Sequence, residues 1–391
     1  MTIPYSRQDL NQDDIDAVCQ VLKSDYLTQG PLVPEFENAV ISYTGAKFGV
    51  AVNSATSALH LACLALKVMP NDCVWTSPIT FVASANCALY CEANVDFVDI
   101  DPISFNMSVS ALKKKLELAK KNNTLPKVVI AVHLAGQSCE MIEIYKLSQE
   151  YGFKIIEDAS HAIGSKYLGK PVGSCLYSDI CVFSFHPIKI ITSVEGGMAV
   201  TNNKEYANLM ERLRSHGITR DQNEMTGHTD GPWYYQQLDL GYNYRMSDVH
   251  AALGINQMKR LEQFVEKRRA LAANYDTLLE NLPIKIPFQR EECYSAFHLY
   301  IVRVPKKSKN FNRNQVFERL RANGIFTNVH YIPIYRHPYF SKFNYSYKDF
   351  PESERYYAEA MSLPLFTILT EQQQKIIVDV MSLPVGHQAL F

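Results

Sequence analysis

From Phe48 onward, short and almost continuously apolar runs alternate with longer stretches of helical periodicity, and this alternation restricts the fold more than any other feature. The runs are Phe48–Val52, Cys73–Thr76, Val95–Ile100, Val128–His133, Phe153–Ile156, Ile180–Phe185 and Met198–Thr201. A strand buried on both faces loses the in–out alternation of a half-exposed one. Strands that alternate with helices are joined by crossovers, so the runs predict an α/β fold with a mostly parallel sheet covered by helices.

The flanking segments complete the organisation. Met1–Tyr5 reads as an extended arm, because Pro4 forbids an early helix. Leu10–Lys23 has Ile15, Val18, Val21 and Leu22 on one stripe, a turn covers Tyr26–Pro31, and a second helix covers Val33–Tyr43. A polar, irregular stretch spans Asp221–Gln237. Ser247 then caps a long predicted helix that reaches Leu282 and stops at Pro283. A strand over Tyr300–Val304 and helices over Asn314–Asn323, Pro351–Met361 and Glu371–Val380 follow. The expected division is an arm and large domain over 1–250 and a smaller C-terminal α/β domain over 251–391.

Composition removes several classes of function. Lys+Arg is 39 against 40 Asp+Glu, a net charge of -1, which is not the footprint of a nucleic-acid binder. Nine cysteines form no C-x-x-C, and Cys87 and Cys91 read as small core residues, so a reducing compartment is expected. No histidine pattern has metal-ligand spacing, so no metal is expected. With neither a signal-like N-terminus nor a bilayer-length apolar run, a cytoplasmic protein without membrane or nucleic-acid partners is expected.

Ligands of open α/β sheets bind at the carboxyl ends of the strands, and four predicted strand ends carry chemistry. After the first, Asn53-Ser54-Ala55-Thr56-Ser57 offers hydroxyls and free amides at a helix start, which suits a phosphate and serves equally as a plain helix cap. Phe81, after the second, can stack on a planar ring or pack in the core. Glu157 and Asp158 face opposite ways, so one of them can meet a ligand; Asp158, with His161 one turn on, is the better placed, and it too could be a helix cap. The sixth run leads to Ser184, His186 and Lys189. Lys189 stands between isoleucines, where desolvation lowers an amine's pKa and prepares it to attack a carbonyl; a lysine that merely lays its stem over apolar surface looks the same. A phosphate cradle, an aromatic shelf, a carboxylate and a desolvated lysine, in that order, are what pyridoxal phosphate requires. No G-x-G-x-x-G supports a nicotinamide enzyme.

The motifs L-T-Q-G (Leu27–Gly30), N-S-A-T-S-A-L (Asn53–Leu59), D-A-S-H-A-I-G-S (Asp158–Ser165), S-F-H-P-I-K (Ser184–Lys189), E-G-G (Glu195–Gly197), R-S-H-G (Arg214–Gly217), G-Y-N-Y-R-M-S-D (Gly241–Asp248), G-I-F-T-N-V-H-Y-I-P-I-Y (Gly324–Tyr335) and L-P-L-F (Leu363–Phe366) run through the whole chain. With them the chain resembles the nucleotide-sugar aminotransferases of the DegT/DnrJ/EryC1/StrS family. The resemblance implies fold type I of the pyridoxal-phosphate enzymes, aspartate aminotransferase-like, with a seven-stranded sheet in the large domain.

Lys189 would then hold the cofactor and shuttle protons, Asp158 would pair with its ring nitrogen, Phe81 would stack on the ring and His161 would lie near the ring hydroxyl. Ala55, Thr56 and Ser184 would bind its phosphate, and Asn243 would reach that phosphate from the other subunit of a homodimer. Tyr5, Asp25, Tyr26, Leu27, Thr28, His330 and Tyr331 would line the nucleotide-sugar cleft. Ile190 departs from the proline or asparagine the family favours after the lysine.

Within the family the wording is most similar to the branch that makes UDP-4-amino-4,6-dideoxy-N-acetyl-β-L-altrosamine for pseudaminic acid, moving an amino group from L-glutamate to C4 of a UDP-linked 4-keto-6-deoxy sugar. A sister aminotransferase acting at C3 or C4 of another UDP- or dTDP-sugar is the alternative. A sugar dehydratase on the same fold would carry histidine at Lys189, and a non-catalytic relative would lose Lys189 or Asp158.

Overall fold

Each of the predicted runs holds a strand, and together these form one sheet; of the run Val95–Ile100, only Val95–Phe97 is strand. The strands are β1 (Phe48–Val52), β2 (Cys73–Thr76), β3 (Asn94–Phe97), β4 (Val128–Val132), β5 (Lys154–Asp158), β6 (Ile180–Ser184) and β7 (Gly197–Thr201). The structure is a computed structural model that describes residues 2–305 and 311–383. Met1 of the expected arm and residues 306–310 and 384–391 of the expected second domain lie outside the described residues. The strand order is β1-β7-β6-β5-β4-β2-β3. β6, β5, β4, β2 and β3 pair in parallel, while β7 is antiparallel to both neighbours. The reason is local: no helix separates β6 from β7, and without a crossover a returning strand must run the other way.

Alternate residues of each strand serve separate cores. Val128, Ile130 and Val132 of β4 pack with α3 (Ala55–Ala65), α4 (Ala83–Tyr90) and α7 (Lys204–Arg214); Val129 and Ala131 pack with α5 (Val109–Asn122) and α6 (Met141–Tyr151). This double burial is why the runs read as continuously apolar. Because β7 starts where β6 ends, the carboxyl ends of β1, β2, β4, β5 and β6 and the first residues of β7 share one edge of the sheet.

Beside the sheet, α1 (Gln12–Leu22) and α2 (Leu32–Thr44) pack against α8 (Asp248–Met258). Ser247 caps α8 as expected, accepting from the His250 amide at 3.3 Å. The single helix predicted from Ser247 to Leu282 is instead two, α8 and α9 (Leu261–Leu279). Arg260, with ψ 4°, stands at the break, where its guanidinium reaches the Asp9 carbonyl at 3.1 Å and the buried Asp14 carboxylate. α9 bridges two cores: Phe264 and Val265 join Phe183 and Met198, whereas Leu271 and Tyr275 join Ile3, Val302, Leu320 and Ile377.

The helix predicted over Pro351–Met361 ends at Glu359, because the fully buried Ala360–Leu363 pairs as a strand with Tyr300–Arg303. The chain before it returns to the large sheet, where Ile334, Phe340 and Phe350 pack around Phe97. The extended arm is tied down from the same side: the Ile3 amide donates to the Gly324 carbonyl at 2.9 Å, and the Leu365 amide to the Tyr5 carbonyl at 3.2 Å.

Candidate active site

The shared sheet edge opens into a cavity of about 440 Å³. At the end of β1, Ser54 is extended and accepts from the Ser57 amide at 3.2 Å, which starts α3. Among the described residues, no hydrogen bond takes the amides of Ala55 and Thr56, the first two of that helix. They line the cavity with Ser184, and such amides at the positive end of a helix attract an anion. Gly197 explains how the turn fits: a Cβ there would lie 2.4 Å from the Ala55 nitrogen, so only glycine lets β7 pass beneath it.

At the end of β5, Asp158 is buried and points into the cavity. Its Oδ1 accepts from the Ser160 amide at 3.1 Å and its Oδ2 from the Ser84 hydroxyl at 2.7 Å, which fixes the plane of the carboxylate. Glu157 faces the opposite side, where its carboxylate meets His133 Nε2 at 2.7 Å and accepts from Ser178. The expectation that only one of the two acids can meet a ligand follows from strand geometry and is met.

Past β6, the chain turns at Pro187 and aims Lys189 at the same space, its amide donating to the His186 carbonyl at 2.9 Å. Burial lowers the Lys189 ammonium to about 8, and Asp158 offsets part of that shift. An amine in this range is available both as base and as nucleophile near neutral pH.

The other wall holds a defined tautomer. His161 Nδ1 accepts from the Ala135 amide at 3.3 Å. Burial and the nearby Lys189 hold the ring neutral, so its proton sits on Nε2. That proton is given to the Tyr331 oxygen 3.0 Å away, which leaves the phenol's own proton for another acceptor. His330 is held neutral by burial and by Lys189, its pKa lowered to about 3; its Nδ1 lies 2.7 Å from the Ser362 hydroxyl and its ring faces Tyr5, with centroids 5.6 Å apart.

Tyr5, Ala55, Thr56, Phe81, Asp158, His161, Ser184, Lys189, His330 and Tyr331 thus line one cavity. Asp25, Tyr26, Leu27, Thr28 and Asn243 do not line it and are exposed. Sequence reasoning passed over Ser84, Thr80, Ser160 and Asn328; Ser84 meets Asp158 from 74 positions away, and Thr80 and Ser160 are small polar residues that mark nothing by themselves. It also passed over His298, which packs 4.4 Å from the His161 ring and lies in an apolar S-A-F-H-L run that carries no sign of a site.

The profile of the DegT/DnrJ/EryC1/StrS aminotransferase family matches residues 8–382. The chain belongs to this family. It is 39% identical over 382 residues to the UDP-4-amino-4,6-dideoxy-N-acetyl-β-L-altrosamine transaminase of Campylobacter jejuni, with 96% of each chain covered. Among solved structures it resembles Helicobacter pylori PseC, an aminotransferase involved in the biosynthesis of pseudoaminic acid, at 31% identity and a TM-score of 0.87, covering 97% of this chain and 98% of that one. The Streptococcus pneumoniae protein Spr1654, solved in forms with pyridoxal and pyridoxamine phosphate, matches at 28% identity and a TM-score of 0.87, covering 97% and 98%.

The enzyme is therefore an aminotransferase of fold type I that uses pyridoxal phosphate and cycles it through pyridoxamine phosphate. The cavity fits that group. Free amides with a glycine beneath them suit its phosphate, a carboxylate fixed on both oxygens suits its ring nitrogen, and a desolvated amine suits its aldehyde.

Proposed function

We propose that the enzyme transfers the amino group of L-glutamate to C4 of a UDP-linked 4-keto-6-deoxy-N-acetylhexosamine, giving UDP-4-amino-4,6-dideoxy-N-acetyl-β-L-altrosamine and 2-oxoglutarate. The observation that carries this reading is the convergence of Lys189, Asp158 and the Ala55–Thr56 amides on one cavity, in a chain 39% identical to a transaminase of that name.

Bound there, pyridoxal phosphate supplies a carbonyl that takes up an amino group and a ring that withdraws electrons from the reacting carbon. Ala55, Thr56 and Ser184 would hold its phosphate, Phe81 would lie against its ring, and Asp158 would keep a proton on the ring nitrogen. Lys189 moves the proton between donor and acceptor carbons, and an amine titrating near 8 can take that proton and return it. His161 orients Tyr331, whose remaining proton would be free for an acceptor on the cofactor or the sugar. Tyr5 and His330 form the wall on the sugar side.

The homodimer is part of the proposal. Thr28 pairs with Ser247, four positions beyond Asn243, so the Asp25–Thr28 turn and Asn243 belong to one stretch of surface. Trp233 and Leu240 are 72% and 81% exposed, and Tyr26 and Leu27 are also exposed; large apolar side chains left in water suit burial against a second copy. Across that interface Asn243 reaches the partner's phosphate site and the turn closes its nucleotide-sugar cleft. We place the division between domains at 1–250 and 251–391, with α8 crossing it and packing against α1 and α2; we place the enzyme in the cytoplasm, a compartment that suits nine unpaired cysteines. No described helix is long and apolar enough to cross a membrane.

A panel of 4-keto sugars tests the substrate. Amination of the UDP-2-acetamido-4-keto-β-L-arabino-hexose, with L-glutamate as donor, is expected. Amination of dTDP-sugars in its place would assign the enzyme to a sister activity.

A further inference from the structure

Two hydroxyls beneath the cavity, the Ser84 donor that fixes Asp158 and the Thr80 behind it, have no part in the proton transfers above. Ser84 lies in the first turn of α4 with no accessible surface, and Thr80, four residues earlier, is almost as buried. Ser84 Oγ donates to Asp158 Oδ2 at 2.7 Å and lies 2.8 Å from Thr80 Oγ1. A hydroxyl has one proton to give. Ser84 gives its proton to Asp158, so Thr80 must be the donor in the Thr80–Ser84 pair. The relay runs one way, Thr80 to Ser84 to Asp158, and polarisation along it strengthens the last bond. The Ser160 amide holds Oδ1, so among the described residues the donors hydrogen-bonded to this carboxylate are a backbone amide and a neutral hydroxyl.

We propose that Ser84 is a positioning residue that keeps the proton shared by Asp158 and the cofactor's ring nitrogen on the nitrogen. The proposal rests on pyridoxal phosphate binding as described above. A donor on a carboxylate favours its charged form and lowers its affinity for a further proton. Without Ser84, Oδ2 would face an apolar helix turn, the carboxylate would compete for the ring proton, and the ring would withdraw electrons less strongly. Thr80 acts on the same proton at one remove, by making Ser84 a better donor.

The test uses protein loaded with nitrogen-15 pyridoxal phosphate and the variants Ser84→Ala and Ser84→Thr. In the wild type the ring-nitrogen signal should be that of a protonated pyridine. In Ser84→Ala it should move toward the unprotonated position, and the cofactor dissociation constant should rise about ten-fold, the size expected for a lost hydrogen bond to a charged group. The kcat should fall about ten-fold with KM for both substrates within about two-fold, since the change concerns reaction rather than binding. Ser84→Thr, which keeps the hydroxyl, should restore all three.

An unchanged nitrogen signal and cofactor affinity in Ser84→Ala would overturn the proposal, as would a loss of melting temperature alone. If Ser84→Ala does not fold, Thr80→Val removes the donor behind Ser84 and should move the nitrogen signal in the same direction; no movement would equally overturn it. A wild-type protein that binds no pyridoxal phosphate would instead refute the functional reading itself.

Discussion

At the scale of single residues, Lys189 was conspicuous in the sequence because a lone amine among isoleucines needs a reason. The structure supplies the reason in its burial and in the depressed value of about 8. Below that value the amine is mostly protonated and has no lone pair; above it the lone pair is free. The rate at which pyridoxal phosphate attaches to the cofactor-free protein should therefore rise with pH through about 8 and then level off, whereas an ordinary lysine would keep gaining to about 10.4. Stopped-flow absorbance across pH 6 to 10 measures this, and a rise continuing unbroken past 9 would contradict it. Tyr331→Phe leaves the His161 Nε2 proton without an acceptor and removes the phenol's donor, so kcat/KM for amination should fall about ten-fold. Steady-state kinetics with both substrates checks it. Ser84 was not legible in the same way. A serine in a first helical turn looks like any cap, and its partner is 74 positions away.

At the scale of elements, most strands were legible because burial on both faces left them nearly continuous in apolar residues, and β1 and β2 have the expected ends; β3, at the sheet edge, alternates Val95 and Phe97 with Asn94 and Asp96. The reversal of β7 was hidden, since strand direction depends on the connection and not on the strand's own residues. The split between α8 and α9 was hidden as well, because Arg260 answers to Asp9 and Asp14, more than 240 positions earlier. Gly197 read as part of a Glu-Gly-Gly turn. Its role depends on the distance from β7 to the Ala55 turn, which no local pattern encodes. Gly197→Ala should force that turn away from β7 and raise the pyridoxal phosphate dissociation constant at least about ten-fold, overpacking at a site that cannot relax. Absorbance titration of the cofactor-free protein gives the constant. An unchanged value would mean that the turn does not hold the phosphate.

At the scale of the whole molecule, one chain brings most of the recognised residues to a single cavity and leaves Asn243 and the Asp25–Thr28 turn on its surface. The sequence named these residues through the resemblance but could not say which chain they serve, because a contact between copies leaves no mark on periodicity. If the homodimer completes each site, Asn243→Ala should weaken cofactor binding about ten-fold while sedimentation still shows a dimer. A monomeric wild type with full activity would contradict that part of the account.

We propose that Lys189 holds pyridoxal phosphate and carries the proton in amino transfer. It is tested most directly by reducing the loaded protein with borohydride, mapping the labelled peptide and repeating the reaction with Lys189→Ala. The label should lie on Lys189, and the variant should retain no attached cofactor and move no amino group from L-glutamate. A label on another lysine, or a Lys189→Ala enzyme that turns over at the wild-type rate, would contradict it.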